Sequence, residues 1–378
     1  MRIVVIGAGI LGTTHAWQAV LRGHDVVHLE REREARGASV RNFGLVWVSG
    51  RSPAELPVSL RSRELWEQLG TDVPDIGFRA NGSLTLVRTA AELAVAEDVA
   101  ARPDATARGL TLLDPTDVRR RNPAVRGDHL AGLHCARDAA VESRVALPAL
   151  RAWLEKTGRY TFHPDREVVA VENLPGGGAA AVDATGVEHP GDLVLFCPGA
   201  AYGGIVRDLV GDLPVRRVRL QMMQTAPLGE ELTTSIADGD SFRYYLAFQG
   251  PTLDALRTAQ PRPDVAERYR MQLLCVQRLH GGLTIGDTHA YDEPFDFDLD
   301  DAPYRHLTDV AEALLGRPVP PVVRRWSGVY AQTTAPEDPD SPVHRTHRDD
   351  IWVITGPGGR GMTLGPAIGE ATADLIGL

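Results

Sequence analysis

The sequence predicts an α/β fold, and three observations at its start lead to this prediction. Residues 2–6 (RIVVI) form a short β-branched run that is typical of a buried parallel strand. Glycines at positions 7, 9 and 12 follow directly, and residues 13–22 read as a helix that ends before Gly23. A second apolar run, residues 25–29, ends at Glu30. A strand, a glycine-rich turn, a helix and a second strand in this order begin a Rossmann-like domain.

The glycine spacing gives this unit a chemical meaning. Gly7 allows the tight turn, Gly9 lets the backbone approach a pyrophosphate, and Gly12 lets the helix pack on the strand. The helix N-terminus faces the phosphates, and Glu30 can accept hydrogen bonds from ribose hydroxyls. A carboxylate at position 30 disfavours a 2′-phosphate. The motif therefore predicts that the chain binds FAD or NAD.

Two further segments favour FAD over NAD. Residues 37–44 (GASVRNFG) follow Glu30 within a turn and are small and polar, whereas an NAD domain would continue with further βα units. Near the C-terminus, a strand at 351–355 leads into the glycine-rich stretch 356–366, and a helix follows at 367–375. A second helix N-terminus in this place can face the negatively charged edge of a flavin ring.

Composition excludes several other classes. The 378 residues are 43% hydrophobic and 24% charged, which fits a globular enzyme of two domains or one large unit. A net charge of −10 offers no basic face to nucleic acid. Cys135, Cys197 and Cys275 lie far apart and suggest neither a disulfide framework nor a metal site. No apolar run is long enough to span a membrane, and the apolar start lacks the marks of a signal peptide, so we expect a cytoplasmic protein.

The whole chain, residues 1–378, resembles the D-amino-acid oxidase, glycine oxidase and sarcosine oxidase group of flavoenzymes. The resemblance lies in the N-terminal fingerprint, the GAS segment, residues 167–171 (EVVAV), residues 192–199 (DLVLFCPG) and the C-terminal GGRGMTLGPAIGEATA. It implies an FAD-binding Rossmann-like (GR2-type) domain, residues 1–80, 140–215 and 320–378, interleaved with an α+β substrate domain, residues 81–139 and 216–319. It also implies non-covalent FAD contacts from Gly7, Gly9, Ile10, Leu11, Gly12, Glu30, Arg31, Ala38, Ser39, Arg41, Asn42, Val168, Gly199, Gly358, Gly359, Arg360, Gly361, Met362 and Thr363.

Three segments resemble a narrower subgroup that is linked to bacterial phosphonate breakdown. They read GASVRNFGLVWVSGR, LTIGDTHAY and RRWSGVYA. This likeness implies hydride transfer from 2-aminoethylphosphonate, or from its N-methyl derivative, to flavin N5. The product would be phosphonoacetaldehyde.

The stretch 326–330 (WSGVY) resembles the family element WxGxR, whose arginine binds the substrate carboxylate. Tyr330 stands in the place of that arginine, so an ordinary carboxylate clamp is not expected there. Sarcosine oxidases carry a flavin-linked cysteine in the same element, and Gly328 replaces it here. Thr284 likewise replaces a lysine that promotes reaction with oxygen, which leaves open whether oxygen or another acceptor takes the electrons.

Substrate-facing groups must then come from elsewhere. We predict Tyr330, Arg243, Tyr244, His289 and Arg41 as the catalytic or substrate-binding residues. Arg243 is the candidate for a bidentate contact with a phosphonate.

The middle of the chain is expected to supply the substrate domain. Strands are predicted at 81–87 and 283–286 and a helix at 298–315, while the loop-rich stretches 251–263 and 336–342 are candidates for a lid. Two alternatives remain at this point. In the first, the chain oxidises glycine, sarcosine or a D-amino acid. In the second, it serves as the flavoprotein subunit of a larger electron-transfer complex.

Overall fold

The computed structural model describes residues 1–334 and 343–378. In these ranges the strands are β1 (Arg2–Ile6), β2 (Asp25–Leu29), β3 (Leu45–Val46), β4 (Ser83–Val87), β5 (Leu110–Leu113), β6 (Ala131–Cys135), β7 (Ala139–Ala140), β8 (Tyr160–His163), β9 (Val168–Asn173), β10 (Ala179–Asp183), β11 (Glu188–Gly191), β12 (Leu193–Phe196), β13 (Val215–Pro227), β14 (Ser235–Asp238), β15 (Leu274–Gln277), β16 (Gly282–Gly286), β17 (Val322–Thr333), β18 (His344–Arg348) and β19 (Ile351–Thr355).

The α-helices of the same ranges are α1 (Ile10–Leu21), α2 (Leu56–Asp72), α3 (Ala90–Ala100), α4 (Ala105–Arg108), α5 (Pro115–Arg121), α6 (Ala146–Glu155), α7 (Ile205–Val210), α8 (Ser241–Tyr244), α9 (Pro251–Ala259), α10 (Asp264–Arg268), α11 (Asp301–Leu315) and α12 (Gly361–Leu375). Short 3₁₀ turns occur at Ala38–Val40, Pro74–Ile76, Leu246–Phe248 and Gly358–Arg360. No helix in these ranges is long and apolar enough to cross a membrane.

A six-stranded sheet with the order β18-β19-β12-β1-β2-β8 forms the first layer, and its strands are parallel except for β18. The side chains of β1 pack into two different hydrophobic cores, because successive residues of a strand point to opposite faces of the sheet. Ile3 and Val5 pack with α1, α6 and α12, whereas Val4 and Ile6 pack toward the three-stranded sheet β11-β10-β9. The buried run 2–6 therefore takes the central place that its composition predicts.

A second sheet has eight strands in the order β17-β13-β16-β15-β14-β4-β6-β5. One face packs on α11 through Leu307 and Leu314. The other face carries Leu220, Leu274 and Tyr330, and it lies toward the first layer. The two sheets thus enclose a cavity between them.

Several predicted elements agree with the structure, and others need correction. The strands at 2–6, 25–29 and 351–355 are confirmed residue for residue. The stretch 251–263, predicted as loop, contains helix α9, and the predicted lid at 336–342 lies outside the described residues. Strand β17, in the segment 320–378, pairs along its length with β13 of the eight-stranded sheet. The predicted domain boundaries stay a prediction.

Candidate active site

A cavity of about 870 Å³ lies between the two sheets. Its walls include the carboxyl ends of β1, β2 and β12 on one side and residues of β13, β15 and β17 on the other. Ligands of open α/β sheets bind beyond the carboxyl ends of the strands, so the cavity lies where the glycine motif predicts a dinucleotide. Its volume is in the range of known cofactor and ligand pockets.

The glycines of the first turn have no room for a side chain. Gly7 has a φ of +95°, and a Cβ atom there would lie 2.4 Å from the carbonyl oxygen of Cys197. At Gly12 a Cβ would lie 1.8 Å from the carbonyl oxygen of Gly7, so helix α1 could not approach the strand. Ile10 and Leu11 also line the cavity at the start of α1, where the first amides have no partner within the helix.

Buried polar side chains stabilise the glycine-rich turn of residues 7–12 by hydrogen bonds to its backbone. His28 Nε2 lies 3.1 Å from the Gly7 carbonyl oxygen and therefore donates to it, while the Tyr160 hydroxyl donates to Nδ1 at 2.8 Å. Burial lowers the pKa of His28 to about 3, so the imidazole is neutral and keeps this tautomer. Glu30, 9% exposed, accepts the Ala8 amide at 2.7 Å and lines the cavity.

The predicted GAS segment forms one wall. Ser39 Oγ accepts the Ile10 amide at 2.8 Å, which joins this segment to the start of α1. Asn42 donates to the Ala38 and Ser39 carbonyls at 3.0 Å each. The segment is thereby fixed against the glycine turn.

Thr284 does not face the cavity as a free hydroxyl. It accepts a hydrogen bond from Arg278 Nε at 2.9 Å, and the same guanidinium donates to the carbonyls of Val141 and Asn42 at 3.1 and 3.3 Å. Burial lowers the pKa of Arg278 to about 10. The Arg278 guanidinium thus lies behind the cavity wall and holds the backbone of residues 42–43 in place.

The C-terminal glycine stretch is helical earlier than predicted, since α12 begins at Gly361 rather than at 367. Gly358 and Gly359 form the preceding 3₁₀ turn and line the cavity. Arg360, predicted as a cofactor contact, does not line the cavity. Its guanidinium contacts Glu55 instead, and its Nε donates to the Pro357 carbonyl at 3.1 Å.

All the other predicted cofactor residues line the cavity: Gly7, Gly9, Ile10, Leu11, Gly12, Glu30, Arg31, Ala38, Ser39, Arg41, Asn42, Val168, Gly199, Gly358, Gly359, Gly361, Met362 and Thr363. Their individual contacts with a cofactor remain predictions. Gly328 lines the same cavity and offers no side chain for covalent attachment.

Tyr330 and Arg41 are the two predicted catalytic residues that line the cavity. Tyr330 is 6% exposed, and its hydroxyl has no hydrogen-bond partner of good geometry within residues 1–334 and 343–378. Burial raises the pKa of Tyr330, and the carboxylate of Asp287 adds to this effect. Arg41 donates to the carbonyls of Arg36 and Ser327 at 2.7 and 3.0 Å, so its guanidinium is already engaged.

Arg243 was predicted as the substrate clamp, and the structure places it elsewhere. It does not line the cavity, and its Nε pairs with Asp240 at 2.8 Å in a site where its side chain is 7% exposed. Its Nη2 donates to the Gln260 carbonyl at 2.5 Å. These two partners engage Nε and Nη2 at a position outside the cavity lining.

Tyr244 and His289 lie one layer behind the cavity wall. Their rings stack with centroids 4.2 Å apart, and neither residue lines the cavity. Burial raises the pKa of Tyr244 well above its usual value, so its hydroxyl stays neutral.

Three cavity residues outside the predicted catalytic set complete the site: Arg51, Tyr245 and Asp287. Together with Trp47 and Tyr330 they form what we call the aromatic end of the cavity. The Trp47 and Tyr245 rings are 5.9 Å apart, and Arg51 Cζ lies 5.4 Å from the Tyr245 ring centroid. The available signals were an arginine three residues after the apolar run 45–48 and an acid directly after the 283–286 strand.

Arg51 is 5% exposed, and its Nε is buried without a hydrogen-bond partner. None of the ion pairs of the described ranges includes Arg51. The nearby Glu55 attracts it electrostatically and forms its own ion pair with Arg360. Burial lowers the pKa of Arg51, as expected for a cation that lacks an anionic partner. A buried guanidinium without an ion pair on a cavity wall has the charge and the donors to bind an anionic ligand.

The backbone that carries Arg51 is held by two buried charges. Asp138 accepts the amides of Val48 and Ser49 at 2.6 and 3.0 Å and the Ser49 hydroxyl at 2.7 Å. Arg108 donates to the Arg51 carbonyl at 2.6 Å. The guanidinium is therefore presented by a fixed segment rather than by a mobile loop.

Comparison with known proteins agrees with this geometry. The sequence matches the family described as DAO, FAD dependent oxidoreductase, over residues 2–375. It is 26% identical over 182 residues to a subunit of opine oxidase from Rhizobium meliloti, an alignment that covers 45% of this chain and 49% of that protein. The chain thus spans about half the length of the curated relatives that it matches.

The fold is similar to that of glycine oxidase from Geobacillus kaustophilus, with a TM-score of 0.74, 19% identity, and coverage of 100% of this chain and 95% of that one. It is equally similar to iminodiacetate oxidase from Chelativorans sp. BNC1, with a TM-score of 0.75, 19% identity, and the same coverage.

The residues of the cavity fit FAD. The glycine turn and the start of α1 line the cavity where a pyrophosphate is expected, Glu30 lies at the end of β2 for a ribose, and the turn before α12 lies beside the Tyr330 ring. The chain belongs to the DAO family of FAD-dependent oxidoreductases.

Proposed function

We propose that the enzyme oxidises the C–N bond of a small amine that also carries an anionic group. FAD, when bound in the cavity, supplies the two-electron acceptor, at its N5 atom. The cavity residues implied by the resemblance are proposed as its contacts. The protein's own contribution is to bind the anion, to orient the amine carbon and to exclude water.

The observation that carries this proposal is the unpaired guanidinium of Arg51. An isolated buried cation is costly unless a ligand supplies the counter-charge. Arg51 lies at the aromatic end, beside Tyr245, whereas Glu30 lies among the residues of the glycine turn. An anion on Arg51 would therefore bind away from the predicted ribose position, where a substrate rather than the cofactor is expected.

The preferred anion is a phosphonate, with 2-aminoethylphosphonate or its N-methyl derivative as substrate and phosphonoacetaldehyde as product. A phosphonate presents three oxygens, and the aromatic end offers the Arg51 donors together with the Tyr330 hydroxyl, which has no good partner among the described residues. Tyr330 stands where the resemblance places a carboxylate-binding arginine. The donors proposed here, Arg51 and Tyr330, thus differ from the arginine that the resemblance implies for binding an amino-acid carboxylate.

A carboxylate substrate is the alternative in the same class. Two of the structural neighbours are named for glycine and iminodiacetate, both of which are small carboxylate amines. Arg51 alone can bind a carboxylate bidentately. A substrate panel distinguishes the two.

A second candidate function belongs to another class, a flavoprotein component of a larger complex. It is favoured by the relatives, each of which is named as one subunit of an opine oxidase. An isolated chain that holds FAD but reacts with no amine would support it.

The test is anaerobic bleaching of the flavin absorbance by 2-aminoethylphosphonate, its N-methyl derivative, glycine, sarcosine, iminodiacetate and D-alanine, each added separately. We expect the phosphonates to bleach the flavin fastest. Admission of air then shows whether oxygen restores the colour. Faster bleaching by the carboxylates would overturn the phosphonate assignment and leave the amine oxidation intact.

A further inference from the structure

A buried carboxylate and a buried imidazole meet at the aromatic end without a settled hydrogen bond. Asp287 follows β16 directly, lines the cavity and is 7% exposed. His289, two residues further and 3% exposed, places its Nε2 3.3 Å from Asp287 Oδ2. Asp287 Oδ1 is buried without a partner in the described parts of the chain.

The tautomer of His289 is fixed by its other nitrogen. Nδ1 lies 3.0 Å from the Arg270 carbonyl oxygen, which can only accept, so Nδ1 carries a proton. A neutral ring then turns the Nε2 lone pair toward the Asp287 carboxylate. Two lone pairs 3.3 Å apart repel each other, and one added proton makes the same contact attractive.

The groups around Asp287 and His289 leave the space between Oδ2 and Nε2 open to a proton from the cavity. Gln272 Nε2 is 3.5 Å from Asp287 Oδ2, the Tyr244 ring stacks on the imidazole, and the Tyr291 ring lies parallel to it at 6.4 Å. The charged and titratable groups that also face the pair are the Tyr245 and Tyr330 hydroxyls, Arg51 beside Tyr245, and Arg216 and Arg270 over the Tyr291 ring. No carboxylate other than Asp287 is among these neighbours in the described ranges.

We infer that Asp287 and His289 form a proton-accepting pair that takes one proton from the nitrogen of the bound amine. This rests on the proposed function in one respect, namely that the substrate is an amine. An ammonium substrate cannot give up a hydride readily, because its nitrogen lone pair is used. The substrate loses one proton to the pair, where it occupies the Oδ2–Nε2 gap, and the freed lone pair becomes the C=N bond as the hydride leaves. The iminium product and the proton in the pair balance the charge.

Asp287→Asn tests the inference, because the amide keeps the shape and can donate to Nε2 but cannot take up the proton. We expect the rate of anaerobic flavin bleaching by 2-aminoethylphosphonate to fall by about 100-fold near neutral pH, the lower end of typical general-base effects. The acid limb of the wild-type pH profile should move to higher pH, toward the titration of the free substrate amine, because only solvent is then left to take the proton. Binding of methylphosphonate, which has no nitrogen, should be equal in the two proteins when measured by perturbation of the flavin spectrum.

A second measurement does not depend on turnover. ¹⁵N NMR of the FAD-loaded protein without substrate reports the protonation of His289, whose signal is identified by its loss in His289→Gln. We expect Nδ1 to be protonated in both proteins, and Nε2 to be protonated in a larger fraction of the wild-type molecules than of Asp287→Asn when the two are compared under the same conditions. Identical Nε2 behaviour, or an unchanged pH profile of bleaching, would overturn the pair. If no amine bleaches the flavin, the proposed function fails and the proton-accepting role fails with it, while the NMR result still shows whether the proton is shared.

Discussion

Replacement of Arg51 by methionine separates a ligand-binding arginine from a structural one. Methionine keeps much of the volume and removes the charge. A hydrogen bond to a charged group contributes about 1.5–3 kcal/mol. Because 1.4 kcal/mol corresponds to a tenfold change, we expect the amine concentration for half-maximal bleaching to rise by about 10- to 150-fold.

The free energy of unfolding should change little. Removal of Arg51 takes a buried cation out of the protein, which favours folding, but it also takes away a charge that lowers the pKa of the buried Glu55 carboxyl. Glu55 keeps its contact with Arg360. We expect the stability of the variant without substrate to stay within about 1 kcal/mol of the wild type.

Arg243→Met is the matched control, since the Arg243 side chain is also largely buried but pairs with Asp240. Its loss would leave Asp240 with Arg262 at 3.6 Å, and breaking a buried pair costs about 3–5 kcal/mol, here near the lower end. We expect lower stability with unchanged amine dependence. Urea unfolding and anaerobic bleaching titrations measure both quantities. If Arg51→Met lost stability and kept its amine dependence, the assignment of the anion site would be wrong.

Three other substitutions test the roles of single side chains. Glu30→Ala should lose FAD on gel filtration, because the ribose acceptor and the Ala8 contact are removed, whereas Glu34→Ala, an exposed control, should retain it. Tyr330→Phe should leave the stability of the free protein unchanged and weaken phosphonate binding by about 1 kcal/mol, roughly fivefold in a binding titration, since the hydroxyl has no good partner among the described residues before ligand binds. The pKa of His28 falls from 6.5 to about 3 on folding, so the unfolded chain binds one more proton in that window and stability falls as the pH falls. His28→Asn should therefore reduce the pH dependence of urea unfolding by up to about 1.4 kcal/mol per pH unit below pH 6.5, and an unchanged slope would show that His28 titrates alike in both states.

The parts of the fold that the sequence predicted are those with strong local signals. Strands β1, β2 and β19 are short apolar runs bounded by turns, and they form where these runs lie. The start of α12 was missed because its glycines and Pro366 look like a loop. The structure gives the reason for them: a Cβ at Gly365 would lie 2.5 Å from Ile10, so the glycines allow α12 to pack against α1.

The cavity walls were predicted better than the substrate groups. Glycine turns have a local signature, and they line the cavity as expected. Which arginine faces the cavity depends on distant partners. Arg243 pairs with Asp240 close to it in sequence, whereas Arg51 is positioned by Asp138 and Arg108 and left without an ion-pair partner among the described residues. Each of these arginines has an acid three or four residues away, Asp240 and Glu55 respectively, so spacing alone does not show which of them is paired.

Cleavage of the C–N bond is the central claim, and a single anaerobic turnover tests it most directly. Stoichiometric 2-aminoethylphosphonate is mixed with the FAD-loaded enzyme, and the released nitrogen is quantified against the flavin bleached. We predict one ammonia, and one phosphonoacetaldehyde by ³¹P NMR, for each flavin reduced. Flavin that bleaches while the nitrogen stays in the organic product, or flavin that no anionic amine bleaches, would contradict the account.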